Sequence, residues 1–296
     1  MADSYYLYFN ITYQCNCRCG FCAANLTAHS DKNQINFKTF TAIIEKYPHG
    51  EATLVTINGG EPTLHQELAQ ILTLLKKRGN PVHLFTNGRR FTSVKFALSI
   101  LNVLAGTILI PIYGTKPAIH DSFTGIKGSF EETFQGLQNI YRFKLKDSKI
   151  QLRLKLLFAR PLLKENEKVA RFVLQNFPET DILSLHSLII SDIVKKNKQF
   201  IPAKNKLKSS INATLATIKN SPYPLSRVNI SDLPPCLISE DNRVFLSLKK
   251  SQNAKQRKFI YYDPYFLSGN PAQARDVQTC FNCQKCRQNN HCHFLK

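Results

Sequence analysis

Hydrophobic and polar positions change period repeatedly over the first two thirds of the chain, between strand alternation and the three-and-four spacing of an amphipathic helix. Tyr5 to Thr12 is aromatic and β-branched and predicts a strand. Phe37, Phe40, Ile43, Ile44 and Tyr47 then share one helical face, with Asn36 as cap and Pro48 as stop. Residues 53–57 predict the next strand, which runs into Asn58-Gly59-Gly60-Glu61-Pro62. Thr63 and Gln66 read as a capping box for a helix carrying Leu64, Leu68, Ile71, Leu72 and Leu75. Further strands are expected at 82–86, 107–113, 150–156 and 181–189, with helices near 93–104, 129–141 and 165–176, while residues 115–128, containing His120-Asp121, read as a loop.

Residues 150–156 alternate strictly, with Ile150, Leu152, Leu154 and Leu156 on one face and Gln151, Arg153 and Lys155 on the other. A barrel strand has this character: the apolar face packs on helices and the basic face points into a polar lumen. Repeated βα units imply a parallel sheet. The fold class is therefore α/β, a partial (β/α)6 TIM-like barrel followed by a small cysteine-rich α+β domain. After Ser191 the pattern changes to a lysine-rich stretch with a helix near 203–219, then Pro222, Pro224, Pro234 and Pro235. The expected divisions are a core at 1–190, a basic linker and helical region at 191–235, and a small domain at 236–296 in which 244–248 and 259–262 pair as a hairpin.

The chain has 296 residues and 43% hydrophobic content, enough for a substantial core. Its start, Met1-Ala2-Asp3-Ser4-Tyr5, lacks a basic region followed by an apolar run, so no signal peptide is read and a cytoplasmic location is expected. Residues 96–113 are the most apolar run, but Ser99, Asn102, Gly106 and Pro111 interrupt it, and no membrane span is predicted. Nine cysteines in a reducing compartment read as metal ligands or reactive thiols. A formal charge of +20 points to an acidic partner. Seven lysines and no acid fall within residues 195–219. Such a run is ordinarily a solvated face, with acidic-peptide or nucleic-acid binding as the functional alternatives.

Candidate chemistry concentrates in Cys15-Asn16-Cys17-Arg18-Cys19-Gly20-Phe21-Cys22, just after the first strand. Cys15, Cys19 and Cys22, in the spacing C-x3-C-x2-C, can hold three corners of a cubane iron–sulfur cluster and leave one iron open, whereas a fully ligated cluster takes four cysteines. An open position lets a metal meet a cofactor or substrate. Clustered thiols also bind zinc, and buried free cysteines behave as small hydrophobes, so the spacing alone leaves three readings.

The βα succession, this loop after the first strand and the Gly59-Gly60-Glu61-Pro62 turn after the second together resemble the radical S-adenosylmethionine (radical SAM) superfamily. The resemblance covers residues 1–190 and extends to Thr86-Asn87-Gly88 and to the segment from His120-Asp121 through Gly125-Ile126-Lys127-Gly128-Ser129-Phe130. It implies that Cys15, Cys19 and Cys22 ligate a [4Fe-4S] cluster whose open iron is chelated by S-adenosylmethionine. The reduced cluster then splits the sulfonium to a 5′-deoxyadenosyl radical, the electron coming from a flavodoxin- or ferredoxin-type donor. For cofactor binding the resemblance points to Gly59 and Gly60 near the methionyl end, with Glu61 supporting their turn and Phe21 near the adenine. Asn87 and Tyr113 fall where ribose contacts sit, Arg153 or Lys155 would meet the carboxylate, and His186 would face substrate or adenine. Each lumen group has a structural alternative as a satisfied polar residue inside a barrel. Cys17 lies outside the triad and its expected role is none, unless the product is an epimer; then Cys17, Cys280 or Cys236 would return a hydrogen atom.

In the tail, Cys283-x2-Cys286-x5-Cys292, with Cys236 upstream, resembles the auxiliary-cluster extensions called twitch and SPASM domains. It implies a second [4Fe-4S] cluster on Cys236, Cys283, Cys286 and Cys292, with Cys280 spare or substituting. Structural zinc is the alternative, since cysteines with His291 and His293 satisfy tetrahedral ligation equally well. The implied function is crosslinking, oxidation or epimerisation of a ribosomally made peptide. The alternatives are a radical SAM dehydrogenase or isomerase of a small metabolite and, in another class, an RNA-binding or RNA-modifying protein, for which no recognition motif is present. The expected partner is an acidic peptide or its leader. Because the first strand starts by Tyr5, a separate leader-recognition protein is expected too.

Overall fold

The computed structural model describes residues 3–22, 34–146, 150–230, 233–246 and 257–262. The strands are β1 (Tyr5–Thr12), β2 (Thr53–Gly59), β3 (Val82–Phe85), β4 (Gly106–Pro111), β5 (Ile150–Phe158), β6 (Ile182–Ser187), β7 (Val228–Asn229) and β8 (Lys258–Tyr262). They form one open parallel sheet in the order β7-β6-β5-β4-β3-β2-β1-β8. The helices are α1 (Phe37–Ile44), α2 (Leu68–Lys77), α3 (Val94–Leu101), α4 (Pro117–Thr124), α5 (Ser129–Lys146), α6 (Asn166–Asn176), α7 (Asp192–Lys196) and α8 (Lys204–Lys219).

Strand alternation sorts the two faces of the sheet. Leu7, Phe9 and Ile11 of β1, with Leu152, Leu154 and Leu156 of β5, are buried in one apolar cluster with residues of the helices. The opposite residues, Tyr8 of β1 and Lys155 of β5 among them, reach the lumen side. The partial barrel of the sequence analysis is thus present, with two further strands at its edges.

Three expectations are corrected. The Thr63–Gln66 capping box does not form, because Glu61 takes the Thr63 N–H and Pro62–Leu64 makes a separate 3-10 turn; α2 starts at Leu68, and its cap residue, Glu67, makes no side-chain cap bond. Residues 115–128 are not a plain loop but hold α4, which starts at Pro117 and ends at Gly125 with φ +72. The hairpin of 244–248 with 259–262 is absent. Residues 244–246 are helical and bury Phe245, while β8 pairs parallel with β1, where Tyr262 stacks on Phe9 at 4.7 Å and Tyr261 on Tyr8 at 5.5 Å. The helix expected near 203–219 is α8, whose Leu207, Ile211, Leu215 and Ile218 join the main apolar cluster; its lysines occupy the outer face. Among the described residues no helix is long and apolar enough to cross a membrane.

Candidate active site

The cysteine loop, residues 13–22, leaves the C-terminal end of β1 and is seated by backbone contacts from three sides. From the β2 turn, Gly60 N–H donates to Thr12 O and Glu61 N–H to Gln14 O, both at 2.7 Å. This approach requires glycine: a Cβ on Gly60 would lie 2.2 Å from Gln14 O, and one on Gly59, at φ +132, 2.3 Å from Thr12 O. From the end of α4, Thr124 O accepts from Arg18 N–H at 2.8 Å. Asn197, after α7, donates to Gly20 O at 3.0 Å. The turn itself is anchored by Glu61, which is 1% exposed. Its Oε1 accepts from Thr63 N–H and from the hydroxyls of Thr63 and Thr86, and its Oε2 from Asn87 N–H at 2.7 Å. Asn87 Nδ2 then reaches Asn16 Oδ1 at 2.7 Å and Cys17 Sγ at 3.4 Å.

Above these strand ends lies a cavity of about 280 Å³. Its walls include Cys15, Cys17, Cys19, Cys22 and Phe21 from the loop, Gly59, Gly60 and Glu61 from the turn, and Asn87, Tyr113, Lys155 and His186 from later strands. None of the five described cysteines is in a disulfide. Phe21 stacks on Phe123 at 4.2 Å and meets Tyr113 edge-on at 5.5 Å, so one wall is aromatic. Two buried polar atoms of cavity-lining residues, His120 Nδ1 and Ser187 Oγ, have no hydrogen-bond partner among the described residues. The donor set fits a cluster: three cysteines in one loop line one cavity, while no three His, Cys, Asp or Glu among the described residues converge on a single-ion site.

Burial decides most of the electrostatics. It pushes the Glu61 carboxyl above its usual range while the four donors pull it back, and it raises the Tyr113 hydroxyl, with the nearby thiols adding to the effect. The His120 imidazole is pulled down to about 4 by burial. The loop thiols are coupled. Hydrogen bonding to Cys17, then burial, raises the Cys15 and Cys19 thiols; Cys17 is lowered to about 3 by its bonds to those two and then by Arg89. Metal binding needs deprotonated sulfurs, and a bound metal's own charge removes the proton from a coordinating thiol.

Residues 9–154 match the radical SAM superfamily. The chain carries a radical SAM domain. It is 24% identical over 131 residues to Fe-coproporphyrin III synthase of Methanosarcina barkeri, covering 44% of this chain and 32% of that one. It is 26% identical over 147 residues to the mycofactocin maturase MftC of Mycolicibacterium smegmatis, covering 49% and 36%. The matched stretch thus spans about a third of these relatives' length. In fold it is similar to Streptococcus suis SuiB bound to the precursor peptide SuiA, with a TM-score of 0.61 and 13% identity, covering 100% of this chain and 71% of that one.

Most of the expected site residues of the radical SAM domain line one cavity. Gly59 and Gly60 make room for the backbone of the cysteine loop. Glu61 spends its oxygens on four protein donors. Arg153 is absent from the cavity lining and donates to Ser184 Oγ at 2.5 Å, one pleat below Lys155. Cys236 is exposed. Cys280, Cys283, Cys286, Cys292, His291 and His293 lie outside the described residues. Tyr8, Asn58, His120 and Ser187 line the cavity without having been singled out. The alternation of Tyr6, Tyr8 and Asn10 against Leu7, Phe9 and Ile11 carried the signal for Tyr8, in the same form that marked Lys155.

Proposed function

We propose that this radical SAM enzyme modifies a ribosomally made peptide, with Cys15, Cys19 and Cys22 holding the [4Fe-4S] cluster and the cavity receiving S-adenosylmethionine. When bound, that pair supplies a hydrogen-abstracting radical. The chain's own residues fix the loop through Gly60, Glu61 and Asn87, exclude water along the Phe21–Phe123–Tyr113 wall, and bring positive charge to the cavity through Lys155.

The chain's basic excess carries the peptide reading. The formal charge of +20 suits an acidic leader, and the likeness to MftC and to SuiB with its precursor peptide supports the same reading. The likeness to Fe-coproporphyrin III synthase favours a second reading, a small-molecule substrate. The proposal includes an auxiliary cluster on Cys236, Cys283, Cys286 and Cys292. Parallel pairing supports it: β8 brings the chain at Tyr262 to the sheet edge from which the cysteine loop also leaves.

Anaerobic, reduced protein is expected to release 5′-deoxyadenosine from S-adenosylmethionine, and Cys15→Ala, Cys19→Ala and Cys22→Ala each to abolish this; retained turnover in any of them refutes the ligand set. Metal analysis should give about eight irons per chain, whereas about four with one zinc reassigns the tail. Co-expression with short acidic peptides encoded beside the gene should change a peptide mass. Unchanged masses with turnover of a small metabolite would favour the second reading.

A further inference from the structure

Arg89, in the turn after β3, reaches under the cysteine loop. Its Nη1 donates to Asn16 O and lies 3.8 Å from Cys17 Sγ. Its Nε donates to Glu132 Oε2, on the first turn of α5, at 2.5 Å. The two charges are screened unequally, since the Arg89 side chain is 11% exposed and that of Glu132 48%. Water weakens the field of the carboxylate more than that of the guanidinium. A largely buried guanidinium thus stands beside residues 16 and 17, between Cys15 and Cys19 in the loop, and faces the Cys17 sulfur as well as Glu132.

We propose that Arg89 is a positioning residue that sets the reduction potential of the cluster on Cys15, Cys19 and Cys22, with Glu132 as the counter-charge that moderates it. The inference rests on the ligand reading above. One-electron reduction adds negative charge to a cluster, so a buried cation beside its cysteine loop stabilises the reduced form and raises the potential; local charge and hydrogen bonding toward sulfur are the levers a protein has. A purely mechanical clasp would behave otherwise, since loosening the loop from either end of the Arg89–Glu132 pair would act in one direction.

The test is an anaerobic redox titration of the reconstituted full chain without S-adenosylmethionine, with dithionite as reductant, followed by electron paramagnetic resonance alongside iron analysis. Arg89→Gln is expected to lower the reduced-to-oxidised ratio at a fixed potential about tenfold, a midpoint shift of about 59 mV for a one-electron couple. Glu132→Gln is expected to raise that ratio, and Arg89→Lys to stay nearer wild type than Arg89→Gln. Unchanged midpoints at wild-type iron content, or shifts of the same sign in Arg89→Gln and Glu132→Gln, overturn the inference. If Arg89→Gln holds no cluster, the more exposed Glu132→Gln decides, and an unmoved midpoint there is equally fatal. If Cys15→Ala retains the full wild-type signal, the ligand reading fails first and the inference falls with it.

Discussion

Replacing Glu61 by Gln tests whether the Gly59-Gly60-Glu61-Pro62 turn works as the anchor of the cysteine loop. The carboxylate is 1% exposed and all four of its hydrogen bonds come from donors. Thr86 Oγ1 itself accepts from Gly88 N–H, so its proton is committed to Glu61. A glutamine oxygen can replace Oε1 and keep three donors, but its NH2 group must then face Asn87 N–H, donor against donor. One buried backbone donor is left unsatisfied and a second is added, which costs about 1–3 kcal/mol. Turning the amide over orphans three donors and costs more. Glu61→Ala leaves all of them unmet and should lose roughly 3–5 kcal/mol, within the range for breaking a buried polar network. The assay is anaerobic urea unfolding of the reconstituted protein, comparing midpoints at unchanged slope. A Glu61→Gln protein within about 0.5 kcal/mol of wild type, the usual scatter of surface substitutions, would refute this reasoning.

Gly60→Ala places a methyl 2.2 Å from Gln14 O, which neither backbone can absorb without moving the loop; a loss of about 1–3 kcal/mol and reduced iron loading are expected by unfolding and metal analysis. His83 and His120 are each pulled from 6.5 to about 4, chiefly by burial, so between those limits the unfolded chain binds more protons. Stability is then full above about pH 6.5 and falls as pH drops toward 4, by up to roughly 3 kcal/mol per histidine, and the slope should flatten in His83→Gln and His120→Gln when unfolding is followed against pH. His120→Leu and Ser187→Ala should each weaken S-adenosylmethionine binding about 5- to 30-fold by anaerobic calorimetry, as loss of one hydrogen bond worth about 1–2 kcal/mol implies; unchanged affinity in both would show that their atoms meet other partners.

Periodicity located all six central strands because a parallel sheet buried on one face repeats a strong signal. The basic alternation of β5 even gave the direction of Lys155. What it missed depends on contacts between segments distant in sequence. α4 was read as a loop because eight residues with only a modest apolar face resemble one, although Pro117 and Gly125 mark its ends. The helix expected near 129–141 was read from its own segment, yet Asp121, eight residues before Ser129, accepts from Gly128 N–H, Ser129 Oγ and Phe130 N–H and so starts α5. Tyr261 and Tyr262 read correctly as strand residues, but their pairing with β1 is set by rings some 250 positions away. The site was legible as a motif but not as a mechanism of support: the glycines that line the cavity also approach Gln14 and Thr12.

That difference separates two kinds of residue at the cavity. Gly60, Glu61 and Asn87 belong to the recognised motifs, and their polar groups are used within the protein, holding a loop that carries three thiols. Ser187 stands in no motif and His120 only opens the segment of the resemblance, yet His120 Nδ1 and Ser187 Oγ are buried without a hydrogen-bond partner among the described residues. Buried polar groups are rarely left so, and the cost of doing it is offset when a bound molecule supplies the missing partner. The motif residues therefore fix where the reactive centre stands. Recognition of what enters the cavity falls to the later strand ends and to Ile189, which is 42% exposed beside them. Substitutions at the first group should change cluster loading and stability together, and those at the second should change affinity with the cluster intact.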